Sequence, residues 1–235
     1  TGGGATSRWA KQRCLHPPPA SGLSPTAAEY RGTWYEIGKI QTAGGAFFES
    51  ACVCTQLVVT PSTRRAAQSG DAAVLNSCRD KTPAGKFINA TAQLVNMSPP
   101  GHWDETFVPK ALGVFVNYTV IMQGTDPETK EQCVPTSRSF SRSPRGLTSC
   151  IRAARMLDTC LRGSLCVLLT IGGSRYSVEY DCADSILGPN YCIHILGRRP
   201  TMTPLLVGRL LNETLAMGLN TENLQFKHTR QADCW

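Results

Sequence analysis

No stretch of about 18 consecutive apolar residues occurs in the 235-residue chain, so no membrane-spanning helix is expected. No C-x-x-C pair occurs among its eleven cysteines, which excludes the common zinc-ribbon and thioredoxin-type arrangements. The four histidines, His16, His102, His194 and His228, never stand three or four residues apart, and no metal or other cofactor is expected. Charged residues make up only 17% of the chain, and they are unevenly spread. Six arginines against the single acid Asp158, between residues 137 and 163, carry +5 of the net +7. No basic stripe interleaved with aromatics lies elsewhere, so a nucleic-acid partner is not expected. No cleavable leader precedes Thr1, and the reading is a processed, soluble chain.

What the chain has in excess is cysteine and glycosylation sequons. Eleven cysteines without metal spacing point to disulfides and an oxidising compartment, and the odd count leaves at least one unpaired or intermolecular. Cys52 and Cys54 share a parity on one strand and read as partners in separate disulfides rather than as a redox pair. Asn89, Asn96, Asn117 and Asn212 all stand in N-x-S/T, half of the eight asparagines, which favours a glycosylated, secreted protein.

Residues 1–29 contain "TGGGAT" and "HPPPASGLSPTAA" and read as an irregular arm wrapped over the domain and tethered by Cys14. The domain proper, 30–234, reads as strands separated by short turns. They are expected at 30–40, 52–61, 72–78, 86–95, 111–122, 166–171, 175–182 and 191–197. One helix follows, capped by Thr203, opened by Pro204 and ended by Gly218, with Leu206, Leu210, Leu211, Leu215 and Met217 as its apolar stripe. Eight antiparallel strands and one helix give an all-β fold, an up-and-down β-barrel with the helix packed outside.

The sequons orient the strands, because a glycan faces solvent. With Asn117 outward, Phe115 and Thr119 are outward too, and Val114, Val116, Tyr118 and Val120 point inward. With Asn89 outward, Ile88, Ala90, Ala92 and Leu94 point inward. Both inward sets are apolar, and a greasy calyx is the expectation. Glu36, Glu179 and Asp181 lack a positioned partner in sequence and read as solvated or mouth-lining carboxylates, with no catalytic residues and no enzymatic activity expected.

"GTWYEI", with Gly32 and Trp34, resembles the first lipocalin signature, and "ILGRRPTMTPLL" resembles the closing one, with Arg198 in the arginine position. The usual middle T-D-Y is not matched in "TIGGSRYSVEYDC". "CVCTQLVVT" and the terminal "TRQADC" look most like the apolipoprotein D, bacterial and plastid lipocalin branch. The resemblance implies that Arg198 lies across the Trp34 ring at the barrel floor with Gly32 beside it, and that Cys54 pairs with Cys234 and Cys14 with Cys182. It implies a small hydrophobic ligand (lipid, sterol, retinoid, carotenoid or tetrapyrrole) held by walls such as Ile88, Leu94, Val116 and Tyr118. Secretion is the expected location, with the plastid thylakoid lumen as runner-up. A lipocalin-fold enzyme and a structural subunit of an extracellular glycoprotein assembly are the rival readings.

The Arg-rich span, about 124–163, reads as an insertion between two strands. A docking loop for an acidic protein partner or membrane surface is one reading of it. A disordered loop or translated non-coding sequence is the favoured one, since "SRSFSRSPRG" has no apolar period.

Overall fold

A computed structural model describes residues 13–45, 49–65, 67–107, 115–125, 175–186 and 188–234. All belong to one unit, Thr1–Asp126 with Ser174–Trp235. Its strands are β1 (Gly32–Gln41), β2 (Cys52–Pro61), β3 (Ala72–Asp80), β4 (Phe87–Val95), β5 (His102–Phe107), β6 (Phe115–Thr125), β7 (Arg175–Ser185), β8 (Gly188–Gly197) and the two-residue β9 (Lys227–His228), with helix α1 (Pro204–Ala216) between β8 and β9. Each of the first eight pairs antiparallel with its neighbour in sequence, and β1 pairs with both β8 and β2. The sheet is therefore a closed, eight-stranded up-and-down barrel. Among the described residues no helix is long and apolar enough to cross a membrane.

Among the described residues the strand set differs from the expectation at β5 and at the two-residue β9. β5, "HWDETF", was not anticipated, because its inward positions are Trp103 and Glu105 and an acid in that place hides the alternation. The strand expected at 166–171 and residues 126–163 of the insertion expected at about 124–163 fall outside the described residues, as does 111–114 of the strand expected at 111–122, while Gly124 and Thr125 end β6 rather than open the insertion. The two ends of that undescribed span are paired, Thr125 with Arg175.

Two apolar layers form, one on each face of the sheet. The inner one joins Tyr30, Trp34, Leu57, Val59, Val74, Leu94, Trp103, Tyr118 and Val120. The outer one lies under α1, where Leu206, Val207 and Leu210 pack on Ile37, Ile121, Val178, Tyr180, Ile193 and Ile195. Thr203 caps the helix by accepting from the Leu206 amide at 3.3 Å, and Pro204 needs no amide partner in the first turn. The stripe is narrower than expected. Leu215 and Met217 are exposed, while Thr214 is buried with its hydroxyl donating to the Leu210 carbonyl.

The arm is irregular through residue 29, and its Ala20 amide donates to the Val120 carbonyl. Together with a 2.9 Å hydrogen bond to His102, this covering buries Thr119, which was expected to face solvent. The C-terminal tail fills the seam where β1 and β2 diverge. β9 pairs with Gly38 and Lys39, the Cys54 amide donates to the Arg230 carbonyl, and Gln231 Nε2 donates to both Glu36 O and Thr55 O. Gly38 is required there, since a Cβ would collide with the Phe226 ring.

Candidate functional site

One end of the barrel is packed solid. Trp34 is fully buried, its indole Nε1 donating to the Tyr30 carbonyl at 2.7 Å, and the Arg198 guanidinium lies 3.6 Å from the ring centroid. Arg198 also donates to the carbonyls of Thr33 at 2.8 Å and Glu29 at 2.9 Å. Burial pushes its pKa down to about 10, with Arg175 adding, which leaves it charged near neutrality. Gly32 has φ +97°, and a Cβ there would stand 3.1 Å from Arg198 Nη1, so glycine answers both the backbone and the space. These contacts are structural: a cation-π stack and three elements tied to one guanidinium.

Above the floor the expected wall residues divide. Leu94, Tyr118 and Val120 are buried in the inner layer, while Ile88 and Val116 are half-buried and Val114 lies outside the described residues. On β4 the alternation is as read, with Asn89 and Thr91 exposed and Ala92 and Leu94 buried. The uniformly greasy calyx is not what the other wall provides. On β7 and β8 the apolar residues Val178, Tyr180, Cys182, Tyr191, Ile193 and Ile195 belong to the outer layer under α1. Alternation therefore turns Ser177, Glu179, Asp181, Cys192 and His194 inward, joined from β1 by Glu36 and Lys39. Glu36, Glu179 and Asp181 are not solvated carboxylates: the first two are fully buried, and Asp181 is mostly so.

Within this set one group is internally neutralised. Glu36 accepts from His194 Nδ1 at 2.7 Å and from the Thr229 hydroxyl, and stands 3.4 Å from Lys39 Nζ. Burial acts to raise the Glu36 carboxyl, but Lys39 and His194 outweigh it and hold it at about 2. Burial disfavours a charged His194, yet its partners raise it well above the usual range. Burial also pushes the Cys192 thiol up, so the Glu36 carboxylate is the anion that holds the imidazolium. Glu36, Glu49 and His194 bring ligand-type atoms within 4.8 Å of one another. Lys39 Nζ, 3.7 Å from Glu49 as well, already supplies the cation there.

A second group is not neutralised. The Glu105 side chain makes no hydrogen bond among the described residues, its backbone lying in the ladders with β4 and β6. Glu179 Oε1 accepts from the Tyr30 hydroxyl, itself bonded to Tyr118, while its Oε2 has no partner among them. Burial pushes Glu105 up to about 8, with Glu49 adding, and pushes Glu179 to about 8 against the pull of His194. Asp181, 3.5 Å from His194 Nε2, is raised well above the carboxylate range by burial against the pull of His194, with Glu105 and Glu179 adding. Glu105 and Glu179 are carboxylic acids held neutral at pH 7 inside a barrel.

The sequence contained one signal that would have found this wall. In "RYSVEYDC" the apolar parity is Val178, Tyr180, Cys182, and a docked helix requires an apolar outer face, so the polar parity goes inside.

The disulfides are Cys14–Cys182, which fastens the arm to β7, Cys54–Cys234, which fastens the tail to β2, and Cys52–Cys78 between β2 and β3. Among the described residues Cys192 is the free cysteine. Asn89, Asn96 and Asn212 are exposed and Asn117 is half-buried; Asn96 Nδ2 donates to Asp104 at 3.0 Å.

No protein-family model matches the sequence, and no curated protein does. Solved structures do match. Apocrustacyanin C2 is similar with a TM-score of 0.51 at 10% identity, covering 95% of this chain and 91% of that one. Lobster apocrustacyanin A1 is similar with a TM-score of 0.50 at 10% identity, covering 92% and 91%. At such identity the likeness establishes the fold alone: a closed eight-stranded up-and-down barrel with one helix outside.

Proposed function

We propose that the protein is a carrier that binds a small lipophilic molecule inside the barrel and does no chemistry on it. The observation that carries this reading is the gradient of burial along the inner wall. Inward positions at the floor, Trp34, Leu94 and Trp103, have no exposure, whereas Ile88, Ala90 and Val116 toward the other end are only half-buried. Apolar side chains that face inward and keep accessible surface are what a ligand would cover. At about 25 cal/mol per Å², burying roughly 200 Å² of apolar ligand surface supplies about 5 kcal/mol before ordering costs. The neighbours in fold are named as apoproteins, forms without a bound group.

Lipid, sterol, retinoid, carotenoid and tetrapyrrole remain the candidate classes. Cys52-x-Cys54-Thr55-Gln56 and the terminal "QADC" support placing the chain near the apolipoprotein D, bacterial and plastid lipocalins. Three disulfides support an oxidising, extracellular setting, and the sequons support glycosylation. On this reading residues 30–234 are one lipocalin domain carrying a basic insertion.

Incubation of the purified chain with a lipid extract, followed by mass spectrometry of what stays bound, is the test. Recovery of a lipophile, unmodified and near one per chain, is expected. A barrel that recovers nothing, or returns a chemically altered species, would refute carriage.

A further inference from the structure

Two of the sequons are written alike. "FINAT", residues 87–91, and "FVNYT", residues 115–119, are both Phe-x-Asn-x-Thr, and they lie on β4 and β6. Alternate residues of a strand share a face, so phenylalanine, asparagine and threonine stand in one outward row, about 7 Å apart. Among the described residues Phe87, 41% exposed, and Phe115, 61% exposed, are the exposed phenylalanines. The other two sequons lack the feature. Leu94 and Leu210 precede Asn96 and Asn212 by two residues, and both are fully buried.

A single exposed apolar side chain is ordinary on a protein surface. Here both exposed phenylalanines stand at one fixed place relative to an acceptor asparagine, and that recurrence says what covers them. The β4 copy is the complete one: Phe87, Asn89 and Thr91 are all exposed, whereas Asn117 is half-buried and Thr119 buried. Across the ladder, Arg79 stands opposite Phe87, Ser77 opposite Asn89, and Leu75, also exposed, opposite Thr91. Arg79 lies over one face of the Phe87 ring, 4.8 Å from its centroid. Asn89 is thus set between Phe87 on its own strand and Leu75 on the diagonal, in an apolar row on the outer face of the sheet.

We infer that Asn89 carries an N-linked N-acetylglucosamine whose C–H face lies back on the Phe87 ring. Transfer from a polyprenyl-diphosphate-linked oligosaccharide forms the bond from Asn89 Nδ2 to C1 of the first sugar, breaks the bond from C1 to the diphosphate oxygen, and releases a proton from Nδ2. The β-linked pyranose turns three axial C–H bonds to one side. Oxygens on the ring polarise those bonds, and the negative face of an aromatic ring attracts them. The sugar thereby covers apolar surface that water otherwise wets, and the ring fixes the direction in which the glycan leaves the barrel. This inference rests on the glycosylation reading and not on carriage.

The test uses the full chain from a eukaryotic secretory host. Peptide mass spectrometry is expected to find N-acetylhexosamine on Asn89. Trimming the glycan to a single N-acetylglucosamine is expected to leave the melting temperature unchanged. Asn89→Gln is expected to lower it by about 2 to 4 °C, the shift that a contact of aromatic-pair strength produces in a chain of this size. In a Phe87→Ala background the same substitution is expected to do nothing, and with Phe87→Tyr, which keeps the ring, the loss is expected to return. If Phe87→Ala does not fold, Phe87→Leu takes its place, since it keeps apolar bulk and removes the ring. An unmodified Asn89 overturns the inference together with the glycosylation reading at that residue. A glycosylated Asn89 whose replacement costs the same with and without the ring, or whose effect is lost on trimming, overturns the stacking and leaves glycosylation standing.

Discussion

The barrel has two unlike walls built from the same alternating strands. On β2, β3 and β4 the inward residues are Leu57, Val59, Val74, Ala92 and Leu94, and the outward ones include exposed Leu75, Asn89 and Thr91. On β7 and β8 the order is reversed: Val178, Tyr180, Ile193 and Ile195 face out, and Glu179, Asp181 and His194 face in. The reason is what covers the outside. Helix α1 lies over the outer face of β7 and β8, so an apolar layer forms there, and the other parity is left to the interior. An alternating strand states that its two faces differ; only the neighbours say which one is inside.

The strongest way to break this comparison is to unbalance the acid wall. Glu36→Ala takes from buried Lys39 and His194 the carboxylate they share, leaving Lys39 with Glu49 and His194 with Asp181, and the loss of one partner of a buried ionic group typically costs about 3 to 5 kcal/mol. Leu94→Ala on the other wall removes packing only, for about 2 to 5 kcal/mol. Replacing Glu36, Lys39 and His194 together by apolar residues is expected to be less harmful than Glu36→Ala alone. Denaturant midpoints of the three variants decide. If the triple replacement is the worst of them, the set is not an ionic network.

The seam comes next. Cys54→Ser with Cys234→Ser frees the tail that bridges β1 and β2; disulfides typically contribute about 2 to 4 kcal/mol, and the chain-entropy account sets a ceiling of about 5 for a separation of 180 residues. Melting under non-reducing conditions measures it. An unchanged midpoint would mean that β9 and Gln231 hold the tail unaided.

How far the sequence spoke depended on which wall it described. Gly32, Trp34 and Arg198 were legible through short motifs, because a glycine with positive φ, a buried indole and a stacked guanidinium tolerate few substitutes. The apolar wall was legible from the sequon at Asn89, which set the parity of β4. The acid wall was not, because Glu179 and Asp181 were read one at a time, as charges that belong in water, and their alternation with Val178, Tyr180 and Cys182 was not set against the helix. β5 was missed for the same reason, through Glu105.

Arg198→Ala sharpens the floor. Removing the guanidinium uncovers Trp34 and releases the carbonyls of Glu29 and Thr33, for a loss of about 1 to 3 kcal/mol. Ligand affinity, measured where the variant is folded, is expected to hold, because the floor lies beneath the half-buried wall. A variant that melts like the parent would remove Arg198 from the floor.

The last contrast separates the walls by pH alone. Glu105 and Glu179 ionise near the usual carboxylate value when unfolded and near 8 when folded. Between those values the folded state binds more protons than the unfolded one, so stability falls as pH rises from about 5 toward 8. Each group contributes a slope of at most about 1.4 kcal/mol per pH unit where it is protonated folded and ionised unfolded. Glu36 works in the opposite sense and at another place. Its folded value of about 2 lies below its unfolded one, so its contribution is present above about pH 4.5 and is lost as pH falls toward 2. Stability is thus expected to peak near pH 5. Glu105→Gln removes one titrating group without removing a hydrogen bond, so it should flatten the fall between pH 5 and 8 and leave the loss below pH 4 unchanged. Leu94→Ala, on the apolar wall, should lower the whole curve and leave its shape alone. A Glu105→Gln variant that keeps the parent slope would mean that Glu105 ionises normally in the folded protein, and the contrast between the walls would then rest on Glu179 and Asp181.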